Sequence, residues 1–181
     1  VHANIWAMAF GIGPFDSLLR YLTPYLKDNF NTGIQKGQGS GYAELYFLYY
    51  LLPTLADHGY HEWAEDMIAE HYGFLKSLNF HTLNECFSRA ARSQGSCCHT
   101  WSSAGAIYAH RYILGLRQSV PGNLDQWIFN PICSQKFKHV QGTLPHPKGT
   151  LKLEWWRRED GSIEHKAEVP DGVELLQAIN S

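Results

Sequence analysis

The feature that most constrains this chain of 181 residues is a change of hydrophobic period near residue 117. Before it, apolar side chains recur at helical spacing. After it, they fall into short runs cut by Pro and Gly. A single repeating architecture is excluded, and the chain should pass from a helical part into a β part.

In the first part, Phe15, Leu18, Leu19, Leu22 and Leu26 form one stripe behind Pro14 and Asp16, predicting a helix of about four turns. Tyr42 to Leu55 is apolar nearly all round, which predicts a central helix buried on more than one side. His58-Gly59 should stop it, and Glu62 to Leu75 resumes with Trp63, Met67, Ile68 and Tyr72 on one side, giving a helical hairpin. A fifth helix is expected from Ser103 to Leu114, with Thr100, Ser102 or Ser103 as its cap and Gly115 beyond its end. Val1 to Ile12 is also helix-like, with Ile5, Met8 and Ala9 in register, and opens without a cap, as if cut from a longer chain.

In the second part, Trp127 to Phe129, Phe137 to Val140, Leu151 to Trp155, Ile163 to Val169 and Val173 to Leu176 read as antiparallel strands of a small sandwich. Asp160-Gly161 marks a tight hairpin because both residues accept positive φ, and Pro145 to Gly149 marks another turn. Arg117 to Asn123 is the expected junction. The fold class is therefore multidomain α and β, with one domain over residues 1–116 and an antiparallel β-sandwich-like domain over 117–181.

Composition narrows the partners. With 15 Lys and Arg against 17 Asp and Glu, the formal charge of -2 offers no footprint for a polyanion, so nucleic acid is not an expected partner. The longest apolar-rich run, Tyr42 to Ala56, is broken by Glu44 and Pro53, so a membrane is not one either. Cys86, Cys97, Cys98 and Cys133 are too few for a disulfide scaffold and are expected as buried thiols. Compartment is not readable.

Several constellations have chemistry-bearing residue types. Gly37-Gln38-Gly39-Ser40-Gly41 lacks the preceding strand and third glycine of a dinucleotide fingerprint, and reads as a loop at the mouth of a helical pocket. Cys86, Cys97, Cys98, His99 and His81 are metal-ligand types, but adjacent Cys97 and Cys98 do not offer the two-to-four-residue spacing of a zinc site, and no metal is expected. No serine sits in a nucleophile elbow.

Thr82-Leu83-Asn84-Glu85 reads two ways. As a capping box, Thr82 accepts from the Glu85 amide and starts a short helix through Cys86 to Arg92. As catalytic apparatus, Glu85 is a carboxylate at the rim of a helical pocket. His99 and Trp101, at the start of the fifth helix, are residue types that bond to and stack on sugars, and equally types that sit in ordinary cores. Spacing leaves both alternatives open.

The order of these features resembles the C-terminal third of the bacterial α-L-rhamnosidase family of glycoside hydrolases. The resemblance runs over nearly the whole chain. It includes Val1-His2-Ala3-Asn4-Ile5-Trp6-Ala7-Met8-Ala9-Phe10-Gly11, then Asn79 to Glu85, where the family has a Thr-rich turn ending in Trp-Glu. It continues at Ser96-Cys97-Cys98-His99, where the family has Ser, any residue, Asn and His, and through Pro121-Gly122, Ile128-Phe129-Asn130-Pro131 and Pro145 to Trp155. Asn84 and Cys98 depart from the family's Trp and Asn.

The resemblance implies a partial (α/α)6 toroid of about five helices, the end of a six-hairpin glycosidase domain, followed by the closing β-domain. It implies an inverting glycosidase acting on terminal α-L-rhamnosides without a redox or organic cofactor. Glu85 matches the general base and His99 a sugar-contacting histidine, beside which Trp101 is a candidate substrate-binding residue. The general acid lies in the family before the segment matching Val1. The fragment alone is then expected to be inactive, with a rhamnoside and the rest of its own chain as partners. The alternatives are a non-catalytic carbohydrate-binding or structural piece, or a related (α/α)6 glycosidase with another sugar.

Overall fold

A computed structural model describes residues 1–28, 43–79, 82–87 and 96–177. The glycine-rich segment Gly37 to Gly41 and His81 lie outside them, as does most of the predicted helix Cys86 to Arg92. The chain divides into two compact units, Val1–Ile107 and Tyr108–Ser181. The boundary expected at 116/117 falls inside the first strand described below.

The first unit holds α1 (His2–Ala9), α2 (Phe15–Asp28), α3 (Leu45–Asp57) and α4 (His61–Ser77), then a 3-10 turn (Thr100–Ser103) leading into α5 (Ala104–Tyr108). As the all-round apolar pattern requires, α3 is the central element, touching α1, α4 and the 3-10 turn. Its Leu45, Leu48, Leu51, Leu52 and Leu55 are wholly buried, each worth about 1.5–3 kcal/mol of removed apolar surface. The stop at His58-Gly59 is a Schellman motif. Gly59, at φ 83°, donates to the Ala56 carbonyl (3.0 Å), and the Tyr60 amide donates to Leu55 (2.8 Å). The His58 ring stacks on Phe15 of α2 at 3.8 Å, tying that helix to the hairpin.

The fifth helix differs from its expected regular form. It is a 3-10 turn, one α turn and a π turn over Ala109–Ile113. None of the three predicted caps serves. The Ser103 hydroxyl donates to Thr100, and the Ser102 hydroxyl donates to Asn84 at 2.6 Å.

The second unit carries β1 (Leu116–Gln118), β2 (Gln126–Phe129), β3 (His139–His146), β4 (Gly149–Arg157), β5 (Ile163–Glu168) and β6 (Glu174–Gln177). They form two three-stranded sheets, β1-β2-β6 and β3-β4-β5. All pairs are antiparallel except β2 with β6, which is parallel and corrects the expectation of antiparallel strands throughout. A parallel pair needs a long connection, and the whole second sheet supplies it. β1 lies in the stretch read as a junction. The Asp160-Gly161 turn is present, with Gly161 at φ 86° and the Asp160 carboxylate accepting from the amide (2.9 Å) and hydroxyl (2.6 Å) of Ser162.

One core joins both sheets: Leu116, Trp127 and Phe129 from the first, Leu151, Leu153 and Trp155 from the second. Trp155 is fully buried and its indole N–H donates to the Ile113 carbonyl at 3.1 Å. Gly115, at φ 80°, lets the chain pass Pro131, where a Cβ would lie 2.4 Å from the proline nitrogen. Cys133 is buried as expected, whereas Cys97 and Cys98 are exposed, which corrects their reading as buried thiols.

His71 of α4 is buried against the edge of Phe87, and burial pushes its imidazole down to about 4, the Met67 carbonyl opposing only in part. The folded chain therefore holds His71 neutral between pH 4 and 6.5, where the unfolded chain takes up a proton, so acidification through that window favours unfolding. The unfolding free energy from urea titration should fall from pH 7 to pH 4, by up to about 3 kcal/mol for this group. A His71→Gln chain should show a shallower slope over the same range.

Candidate functional site

Residues 82–86 are irregular, with helix beginning at Phe87, and the segment is held by residues 96–102. The Glu85 amide donates to the Ser96 carbonyl (2.9 Å), and the His99 amide donates to Leu83 (2.8 Å). The Trp101 indole N–H reaches the Glu85 carbonyl at 3.3 Å. Thr82 donates its hydroxyl to the Cys97 carbonyl. The capping box is thus absent: the amide that Thr82 was to accept points to Ser96. Both main-chain groups of Glu85 are occupied, and its side chain is half-buried.

Glu85, His99 and Trp101 are therefore brought together. The His99 and Trp101 rings lie 4.4 Å apart at 33°, and Trp101 keeps 42% of its surface exposed. Trp101 meets Tyr46 of α3 edge-on at 5.3 Å, and the Tyr46 and Tyr50 hydroxyls are 3.2 Å apart. Hydrogen bonding to Tyr46 raises the Tyr50 phenol above its ordinary range. Tyr50 in turn meets Trp6 of α1. A row of aromatic rings thus runs from His99 to α1, offering planar faces with polar edges of the kind that receive a polyhydroxylated ring.

Three residues of this arrangement were missed in the sequence. Tyr46 and Tyr50 were absorbed into the apolar count of α3. Glu44 stands at the start of α3, where its carboxylate accepts from the Phe87 amide at 2.8 Å and its own amide donates to His2 Nε2 at 3.3 Å. Its signal was present: a single acid at the head of an otherwise apolar helix has to find a partner. Asn84 is 1% exposed, and its amide oxygen finds no hydrogen-bond partner.

The 3-10 turn that presents Trp101 is fixed from behind by Tyr72 of α4. The Tyr72 hydroxyl donates to the Ser102 carbonyl (2.7 Å) and accepts from the Gly105 amide (2.9 Å). Burial pushes this phenol up to about 12. Gly105 is needed for the contact, since a Cβ there would sit 2.8 Å from the Tyr72 ring.

Two larger hollows of the first unit, about 620 and 480 Å³, share Lys27, Tyr60 and Trp63 between α2 and α4. Neither is lined by Glu85, His99 or Trp101.

Two of the comparisons with known proteins find α-L-rhamnosidases, one in sequence over the second unit and one in fold over nearly the whole chain. Residues 115–179 match the family model of the bacterial alpha-L-rhamnosidase C-terminal domain. Among solved structures, the alpha-L-rhamnosidase from Dictyoglumus thermophilum superposes with a TM-score of 0.70 at 20% identity, over 95% of this chain and 19% of that one. The Streptomyces avermitilis alpha-L-rhamnosidase complexed with L-rhamnose gives 0.62 at 18% identity, over 96% of this chain and 17% of that one. No curated protein matches. The chain thus spans about a fifth of the length of these relatives, and its resemblance to their family is borne out.

Tyr72→Phe should remove the donor to Ser102 and the acceptor for Gly105, costing about 1–3 kcal/mol. Urea unfolding followed by circular dichroism measures it. Tryptophan emission should shift to the red as Trp101 loses its fixed setting.

Proposed function

We propose that the full-length protein containing this chain is an inverting glycoside hydrolase for terminal α-L-rhamnosides. In this reading residues 1–116 are the end of a six-hairpin (α/α)6 toroid, and residues 117–181 are its closing sandwich-like domain. Glu85 is the general base: its carboxylate takes a proton from water as that water attacks the anomeric carbon. The general acid, which protonates the leaving oxygen, comes from a part of the full-length protein outside this chain. An inverting pair is set roughly 6.5–9.5 Å apart so that water fits between.

The observation that carries the reading is the use of Glu85's main chain. Its N–H is bonded to the Ser96 carbonyl and its C=O to the Trp101 indole, which fixes residue 85 in one frame with His99 and Trp101. A base fixed in this way loses little freedom when water docks against it. His99 and Trp101, in the same frame, contact the bound sugar, Trp101 through its exposed face.

A second reading rests on the exposed aromatic row, which suits a protein that holds sugar without cleaving it. A third keeps the (α/α)6 glycosidase and changes the sugar. In the full-length protein, Glu85→Gln should lower turnover of an aryl α-L-rhamnoside by about two to four decades with circular dichroism unchanged. Trp101→Ala should act chiefly on KM. Undiminished turnover in Glu85→Gln would reject the base. Saturable L-rhamnose binding in calorimetry with no turnover by the parent supports the second reading, and turnover confined to another aryl glycoside supports the third.

A further inference from the structure

The outer face of sheet β3-β4-β5 belongs to no part of the site above, and it carries a depression with an aromatic ring beside it. Alternation along the strands sends Leu151, Leu153 and Trp155 into the core. The opposite face presents Gln141, Thr143, Lys152, Glu154, Lys166 and Glu168, which line a depression of about 410 Å³. Register places Gln141, Glu154 and Lys166 in one row across the sheet and Thr143, Lys152 and Glu168 in the next.

The polar groups in this depression are paired and positioned. Lys152 Nζ meets Glu168 Oε2 at 2.8 Å, and the His139 ring meets Glu154 Oε1 at 2.7 Å. The next row along the strands, His139, Trp156 and Glu164, lies beside the depression and has a different chemistry. There His139 lies parallel to Trp156 at 5.4 Å and 9°, and Trp156 keeps 37% of its surface exposed. The Trp156 ring thus packs on His139 and leaves part of its surface open beside the depression. The three rows extend about 13 Å along the strands, the length of a short oligosaccharide.

We propose that this face is a second, non-catalytic binding site for a neutral oligosaccharide, with Trp156 as the stacking platform and the paired side chains as its hydrogen-bonding floor. Charge selects the ligand class. Lysines and glutamates alternate across the depression, so neither a polyanion nor a polycation gains from the summed field. Neutral hydroxyls, which donate and accept at once, match donors and acceptors set side by side. The choice of a sugar over another neutral polar ligand rests on the glycosidase reading.

The test is calorimetry on the full-length protein with a thio-linked trisaccharide ending in α-L-rhamnose, which resists hydrolysis. Two sites per chain are expected. Trp156→Ala should remove one of them, weakening it at least about tenfold. Thr143→Arg, which fills the depression from an exposed position, should remove the same one. An unchanged site count in both variants, or no binding by the parent, overturns the proposal. A parent without turnover that still loses one site on Trp156→Ala rejects the glycosidase reading and retains this one.

Discussion

The arrangement in the first unit depends on how an irregular segment satisfies its backbone. Residues 82–86 have no helix or strand to pair their amides and carbonyls, and a buried peptide group left unpaired costs as much as a lost hydrogen bond. The solution is a short ladder to 96–99, closed by the Trp101 indole on the Glu85 carbonyl and the Ser102 hydroxyl on Asn84. Three of the donors, Glu85, His99 and Trp101, are the candidate site residues themselves, so the bonds that order the segment also position the site.

Support for the ladder comes from two directions. Tyr72 fixes the 3-10 turn behind Trp101, and Glu44 anchors Phe87 from the head of α3. Both supports stand on helices packed by the buried leucines of α3, so the core determines where the irregular segment sits. A site carried on rigid elements keeps its geometry better than one on free loops.

The legible parts of this fold are those fixed by local pattern. The stripe on α2, the burial of α3 on more than one side and the Schellman turn at Gly59 each follow from residue spacing, and the structure has them in place, with Tyr49 of α3 left exposed. What spacing did not reveal was set by tertiary partners. Thr82-x-x-Glu85 satisfies the capping-box pattern, yet residues 96 and 97 take both bonds, because a distant segment competes successfully with a local one. β1 is three residues long, too short for alternation to register, and the parallel pairing of β6 is decided by where the second sheet returns the chain. Glu85 with His99 and Trp101 was one of two readings the residues left open, and the resemblance favoured it for Glu85 and His99, while Glu44, Tyr46 and Tyr50 needed the packed helices to appear beside them.

Position 84 bears on which sugar the proposed site accepts. The resembled family has Trp there, whereas this chain has Asn84, folded inward at 1% exposure with its amide oxygen unpaired. An asparagine so placed contributes no ring to a pocket wall. The aromatic surface beside Glu85 is supplied from across the ladder by Trp101 and, behind it, by Tyr46 and Tyr50. In the proposed reading, a stacking face that comes from the 3-10 turn, with phenol hydroxyls at its edge, would present a bound ring with a more polar wall than an indole at position 84. The Tyr46–Tyr50 pair would then tell a sugar hydroxyl from a methyl group, since a hydroxyl that can bond to it gains what a methyl in the same place loses.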